Sequence, residues 1–245
     1  MKKEAAITVK DLHISYRGLK KFSIKRSFFK GTKNSKEIFE AVKGISFEVE
    51  KGKILGFIGK NGSGKSTTLR ALAGIFSPDS GVIDLHGNTV SLLSIGVGFQ
   101  PKLTGYENIY LSGMLLGFSE SQIKEKEKEI IEFADIGDFI YKPVKTYSSG
   151  MHSKLAFAIT AILETDIMLI DEVLSVGDAA FKEKSYNKMK ELISDENRTV
   201  VIVSHSLDTI KNLCDEVLWL HNGEIKKIGK PENVIEQYKE FMETQ

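Results

Sequence analysis

Two stretches of this chain carry residue types at spacings that suit gripping an anion: GKNGSGKST at 59–67 and TYSSGMHSK at 146–154. In the first, Gly59 and Gly64 bracket four residues, Lys65 and Ser66 follow, and Asn61, Gly62, Ser63 and Thr67 complete the loop. Glycines let a backbone wrap close enough to aim successive N–H groups at phosphate oxygens. A helix starting near Ser66 adds roughly half a positive charge at its N-terminus. Lys65 is then placed to reach the β and γ phosphates of a nucleotide, and the Ser66 hydroxyl to ligate Mg²⁺. The run DIMLIDE at 166–172 ends on Asp171 and Glu172. A carboxylate at the C-terminal end of a buried strand lies where α/β sheets bind ligands. Asp171 is expected to hold Mg²⁺ through water, and Glu172 to act as general base on the attacking water. His205 closes a second apolar run, VVIVSHS, within reach of a γ-phosphate.

These groups need an α/β frame to hold them. Alternation at Ile7 and Val9, and at Ile45, Phe47 and Val49, predicts half-buried strands, and EKGK at 50–53 leads into ILGFIG; these segments are expected to share one sheet. The glycine loop opens the helix of STTLRALAGIF, closed by the turn cluster SPDSG. Between 100 and 163 the pattern is helical, and Ser119 with Gln122 reads as a capping box. Apolar runs at 166–172 and 199–205 fit parallel strands buried on both faces. LWLHNGEIKKIG predicts a hairpin around Asn222 and Gly223, and ENVIEQYKEFMET a closing helix.

The 245 residues suit one α/β domain with a subdomain. Lys and Arg number 34 against 33 acids, so bulk charge does not favour nucleic acid as a partner. A single cysteine, Cys214 in IKNLCDEVLWL, excludes an internal disulfide framework and reads as a core residue. The N-terminal segment has no signal-peptide pattern, and no window reaches the roughly 18 apolar residues of a membrane span, so membrane work is expected through a partner.

Taken in order, GKNGSGKST, YSSGM, LIDE, SVGD and SHS resemble the Walker A loop, signature, Walker B acids, D-loop and switch histidine of the ATP-binding-cassette ATPases, across essentially the whole chain. The resemblance implies a P-loop NTPase core, with a mostly parallel sheet and an antiparallel β region at 1–99 and 164–245, plus a signature-bearing helical subdomain at 100–163. It also implies that ATP held by one copy is closed over by Ser148 and Gly150 of another in a head-to-tail homodimer, which is why one chain carries two anion grips. Taken alone, Ser148 is a sound helix N-cap. The family's usual signature reads Leu-Ser-Gly-Gly-Gln, so Tyr147, Ser149 and Met151 depart from it, and Ser149 is tolerable only at negative φ. Asp178 matches the D-loop acid that contacts the opposite subunit. Tyr16, in DLHISYRG, stands where the family stacks a ring on adenine; a strand-end tyrosine is the structural alternative. Gln100 has the neighbourhood of the family's metal-contacting glutamine, although the stretch from it to LTGYEN is short.

Within the family, LTGYENIYL, FIYKPVKTYSSGM and DEVLSVGD look most similar to ATPase subunits exporting lipid-linked cell-surface polysaccharides, O-antigen and teichoic acid among them. That resemblance implies a separate integral membrane subunit, a lipid-linked polysaccharide as cargo and a place on the cytoplasmic face of the membrane. Some O-antigen members add a C-terminal carbohydrate-binding domain, which is not expected in a chain ending at Gln245. An importer ATPase shares every catalytic residue. A nucleotide-gated module on DNA or ribosomes is disfavoured by the neutral charge and the absence of a second cassette. Residues 20–39 form a basic-aromatic insertion, with Lys20, Lys21, Lys25, Arg26, Lys30, Lys33 and Lys36 preceding the first acid, Glu37, and Phe22, Phe28, Phe29 and Phe39 among them. The exporter subfamily has a short gate helix at this place. The insertion is expected beside anionic lipid headgroups or the polymer's diphosphate, since clustered bases gain roughly 1 kcal/mol each at such surfaces, with a solvated loop as the structural alternative. Deletion of residues 22–36 is expected to abolish polymer export in cells while leaving ATP turnover of the purified chain intact; full export by the deletion variant removes the insertion from the membrane face.

Overall fold

The computed structural model describes residues 4–17, 38–93, 98–171, 178–195, 198–204 and 206–244. β1 (Ala5–Arg17) pairs antiparallel with β2 (Ile38–Glu50) on one edge and β4 (Ser80–Asp84) on the other. Along β2, buried Ile45, Phe47 and Val49 alternate with exposed Ser46 and Glu48, the pattern of a sheet with one face on the core. Six further strands are β3 (Ile54–Ile58), β5 (Val90–Leu93), β6 (Ile167–Asp171), β7 (Thr199–Val203), β8 (Glu216–His221) and β9 (Glu224–Gly229). They form a second sheet in the order β5-β6-β7-β3-β8-β9, parallel except for the β8–β9 hairpin.

The run ILGFIG therefore does not share a sheet with the first two strands, as its sequence position suggests; β3 pairs with β7 and β8. Burial on both faces decides this. Leu55 and Phe57 point into the core shared with β1 and β2, whereas Ile58 joins the opposite core. The same two-residue period sorts Ile167 and Leu169 from Met168 and Ile170 on β6, and Val201 and Val203 from Val200 and Ile202 on β7. A strand with two apolar faces belongs at the centre of a covered parallel sheet.

Seven α-helices are described: α1 (Lys65–Leu72), α2 (Gly105–Leu115), α3 (Glu120–Ala134), α4 (Ser149–Ile162), α5 (Ala179–Ile193), α6 (Leu207–Leu213) and α7 (Pro231–Glu243). Ser119 and Gln122 form the expected capping box on α3, and Thr104 with Glu107 forms a second one on α2. α2, α3 and α4 enclose their own core, with Ile109, Ile123, Ile130, Leu155 and Ile159 at its centre. The other side of α4 turns Phe157 and Ala161 into the core beneath β6 and α5. Its run from Leu155 to Ile162 is buried without interruption, as a helix shared by two cores requires. No described helix is long and apolar enough to cross a membrane.

Ile38 and Phe39, placed above in the insertion, lie on β2 opposite Arg17 and Tyr16. The strands set that boundary, and the rest of the insertion, 20–37, lies outside the described residues. Cys214 is buried where α6 meets β3, and a Cβ at Gly56 would come within 2.7 Å of its Sγ. Burial pushes its thiol up to about 12.

Phe157 is 1% exposed and stacks at 5.9 Å on Phe133 of α3 and edge-on at 6.0 Å on Phe181 of α5. Phe157→Ala is expected to lower the unfolding free energy by about 3–5 kcal/mol, read as a lower urea midpoint at unchanged slope.

Candidate nucleotide-binding site

The glycine loop leaves β3 at Ile58 and enters α1 at Lys65, at the C-terminal edge of the parallel strands. Gly59 has φ 146°, and a Cβ there would lie 2.1 Å from the Leu220 carbonyl oxygen on β8. Gly64 has φ 106°, and its Cβ would lie 2.6 Å from the Ala41 carbonyl oxygen on β2. Both ends of the loop are thus pressed against neighbouring backbone, where only glycine fits. The expected hairpin turn supports the middle. With Asn222 and Gly223 both at positive φ, 51° and 85°, it has the backbone of a two-residue primed turn. The Gly223 N–H donates to the Ser63 carbonyl at 3.1 Å, while the Gly223 carbonyl accepts from the Lys43 N–H at 2.9 Å.

The polar groups inside the loop fit a phosphate chain. Lys65 is 6% exposed, and its Nζ donates to the carbonyls of Gly59 at 2.7 Å and Lys60 at 3.0 Å. α1 begins one residue earlier than expected, from Gly64, with no side-chain cap, which leaves its first-turn N–H groups arranged as an anion site needs them. The Ser63 hydroxyl is buried and finds no hydrogen-bond partner among the described residues. Gly62 has open space within 4 Å of where a Cβ would sit.

Ser66 Oγ donates to Asp171 Oδ1 at 3.1 Å, bringing together a hydroxyl on the first turn of α1 and a carboxylate at the end of β6. Two hard oxygen donors beside a phosphate cradle are the donor set Mg²⁺ takes, so these residues fit that ion. Gln100, the third expected ligand, is exposed, and its backbone N–H donates to Asn108 Oδ1 at 2.7 Å; no contact joins it to Ser66 or Asp171. Glu172 and His205 lie outside the described residues.

Tyr16 lines a cleft with Asn61, Gly62, Gly64, Lys65, Ser66 and Thr67, and its hydroxyl lies 3.1 Å from Thr67 Oγ1. The residue is 38% exposed, and its ring meets Phe76 edge-on at 6.0 Å. Ser148, Gly150 and Asp178 are not among the residues lining this cleft. Ser148 caps α4, its hydroxyl accepting from the Met151 N–H at 3.2 Å, and Ser149 lies in the helix at negative φ as the substitution demands. Tyr147 anchors this turn by donating to the Phe139 carbonyl at 2.8 Å. His152, on the next turn, packs its ring 4.8 Å from Phe99, and burial lowers its pKa. Asp178 caps α5, with Oδ1 accepting from the Phe181 N–H at 3.0 Å.

Three contributors escaped the sequence reading. Phe39 lines the same cleft beside Tyr16, a consequence of the β1–β2 register. Gly223 supports the loop from the hairpin, although the turn itself was expected. Asn108, fully buried in α2, donates through Nδ2 to the carbonyls of Gln100, Leu103 and Thr104, at 3.2, 3.3 and 2.7 Å, and so holds residues 100–104. The capping-box pair Thr104 and Glu107 was the available signal there.

A family profile described as "ABC transporter" matches residues 42–175. The O-antigen export system ATP-binding protein RfbB of Klebsiella pneumoniae is 42% identical over 223 residues, covering 90% of this chain and 88% of the relative. The teichoic acids export ATP-binding protein TagH of Shouchella clausii (strain KSM-K16) is 47% identical over 219 residues, 89% of this chain but 60% of the relative. The chain spans at most about three fifths of the teichoic-acid relatives it resembles, 60%, 37% and 59% in three of them. Among solved structures, an ATP-binding subunit of an ABC transporter aligns with TM-score 0.70 at 22% identity, over 96% of this chain and 93% of that one. The ATP-binding cassette MJ0796, in a dimeric post-hydrolysis state bound to ADP and Pi, aligns with TM-score 0.68 at 20% identity, over 92% of this chain and 98% of that one. The fold is that of these cassettes, and with a profile across more than half its length and a near-full-length relative at 42% identity, the chain belongs to the ABC transporter family.

Proposed function

We propose that the chain binds and hydrolyses ATP as the energy-supplying subunit of an exporter of lipid-linked cell-surface polysaccharide, of the O-antigen or teichoic-acid kind. The observation that carries the reading is the Ser66–Asp171 hydrogen bond at the uncapped start of α1, which supports a metal held by two oxygen donors beside the glycine loop. The export assignment rests on the export systems to which the relatives belong by name and on their identity to this chain.

In this reading residues 1–99 and 164–245 form the nucleotide-binding core with its β subdomain, and 100–163 the helical subdomain carrying the signature turn. Tyr16 stacks on the base, a contact worth about 1–3 kcal/mol where bases stack on aromatic rings. Backbone N–H groups from Asn61 to Thr67 bind the phosphates, and Lys65 exchanges the carbonyls of Gly59 and Lys60 for β- and γ-phosphate oxygens. Ser66 and Asp171 would hold Mg²⁺, with Gln100 joining as a further ligand only on moving toward them, and the ion would neutralise charge on those oxygens. Glu172 takes the proton of the attacking water, and His205 donates to the γ-phosphate. Ser148, Gly150 and Asp178 act on the nucleotide held by a second copy, with the first-turn N–H groups of α4 that the Ser148 cap leaves over as the anion grip. The homodimer works on a separate membrane subunit from the cytoplasmic face, and nucleic acid is not a partner.

Glu172→Gln is expected to bind ATP normally, to lose turnover by roughly 10²–10⁴-fold and to accumulate as an ATP-dependent dimer by analytical ultracentrifugation; turnover at the wild-type rate removes the general base from this position. Asp171→Asn keeps an acceptor for Ser66 but loses the charge. Its Mg²⁺ requirement, measured as the concentration at half-maximal ATPase rate, is expected to rise about 10- to 100-fold, and an unchanged requirement excludes Asp171 from the metal site.

A further inference from the structure

Lys154 lies on α4 six residues beyond Ser148, nearly two helical turns from the signature cap. Only 13% of its side chain is exposed, against 62% for Asp178, and its Nζ meets Asp178 Oδ2 at 2.7 Å. The same ammonium sits 5.2 Å from the centre of the Phe181 ring. Both carboxylate oxygens of Asp178 are therefore engaged within the chain: one caps α5, and the other reaches back to the signature helix. The Lys154 ammonium and the α5 cap hold the Asp178 carboxyl below the usual carboxylate range. Phe181, three residues into α5, packs on Phe157 of α4 and on Phe133 of α3. On the far side of that aromatic group, Lys184 donates to the carbonyls of Glu132 and Phe133 at the end of α3.

We propose that Lys154 is a positioning residue that fixes Asp178 to the helix carrying Ser148, so that the signature turn and the start of α5 approach a second copy as one preset unit. The inference rests on the dimeric reading given above. It adds a division of labour: Ser148 and Asp178 touch the other copy, while Lys154 touches neither nucleotide nor partner and sets the spacing between them. The Lys154–Asp178 contact, at 2.7 Å, ties the first half of α4 to the cap of α5; Lys188 of α5 meets Glu164, just past the other end of α4, at the longer distance of 3.9 Å. Lysine stems pack on rings while the ammonium stays with its partner.

The test uses the full chain carrying Glu172→Gln, with ATP-dependent dimerisation read by sedimentation and nucleotide binding to the single copy read with a fluorescent ATP analogue. Lys154→Met is expected to weaken the dimer roughly tenfold, as for residues coupled in one network, while leaving affinity for the analogue unchanged. Lys154→Arg, which keeps the charge, restores the dimer. Asp178→Asn still caps α5, and adding Lys154→Met to it costs nothing further. Lys184→Met, which removes a lysine from the same aromatic group without touching Asp178, lowers thermal stability and leaves the dimer as tight as in the parent. A Lys154→Met dimer as tight as the parent, or losses that add in the double variant, overturns the positioning role alone. A parent that forms no ATP-dependent dimer overturns the functional reading, and the positioning role with it.

Discussion

No Cβ fits at either end of the loop between β3 and α1, because one end rests on the Leu220 carbonyl of β8 and the other on the Ala41 carbonyl of β2. This double backbone contact organises the rest of the molecule. It requires the three-stranded sheet to lie against the parallel sheet so that β2 comes alongside the loop. It also requires the β8–β9 hairpin to turn tightly enough for Gly223 to hydrogen-bond Ser63 and Lys43 together. A flexible glycine loop on its own would spread over many backbone states. Walled in on three sides, it presents its N–H groups in one arrangement before any phosphate arrives, which is how preorganised donors gain their strength.

The second organising element is α4. Most helices in a domain have one apolar stripe, yet α4 is buried around its circumference from Leu155 to Ile162 because separate cores claim opposite sides of it. Its exposed first turn, with Ser148 as cap, is carried on a body that neither core can release without losing packing. The aromatic contacts of Phe157 extend this rigidity to α3 and α5.

What the sequence revealed and what it concealed divide along the range of the interactions. The phosphate loop was legible because its requirement is written within nine consecutive residues. The Ser119 capping box and the Asn222–Gly223 turn were legible for the same reason: each is satisfied by neighbours in the chain. The strands at 167–171 and 199–203 were recognisable as buried on both faces from unbroken apolar runs. The sheet to which β3 belongs was not, because β2 and β3 are separated by a short turn and only the distant β7 and β8 decide the pairing. Asn108 was missed for another reason: its partners are near in the chain, but a first-turn asparagine that reaches back to three carbonyls has no pattern of its own beyond the capping box beside it. The end of the basic-aromatic segment was set two residues too late, since Ile38 and Phe39 read as part of an aromatic run until β1 supplies their partners.

The lone sulfhydryl offers a practical dividend. Cys214 is wedged against Gly56 and Ile210, and its high pKa leaves it almost wholly protonated at neutral pH, a form that reacts slowly with alkylating probes. The natural chain is therefore a ready background for spectroscopy. A new thiol placed on any exposed surface becomes the one labelled site, and spin or fluorophore distances between copies can be measured without first stripping a native residue from the core.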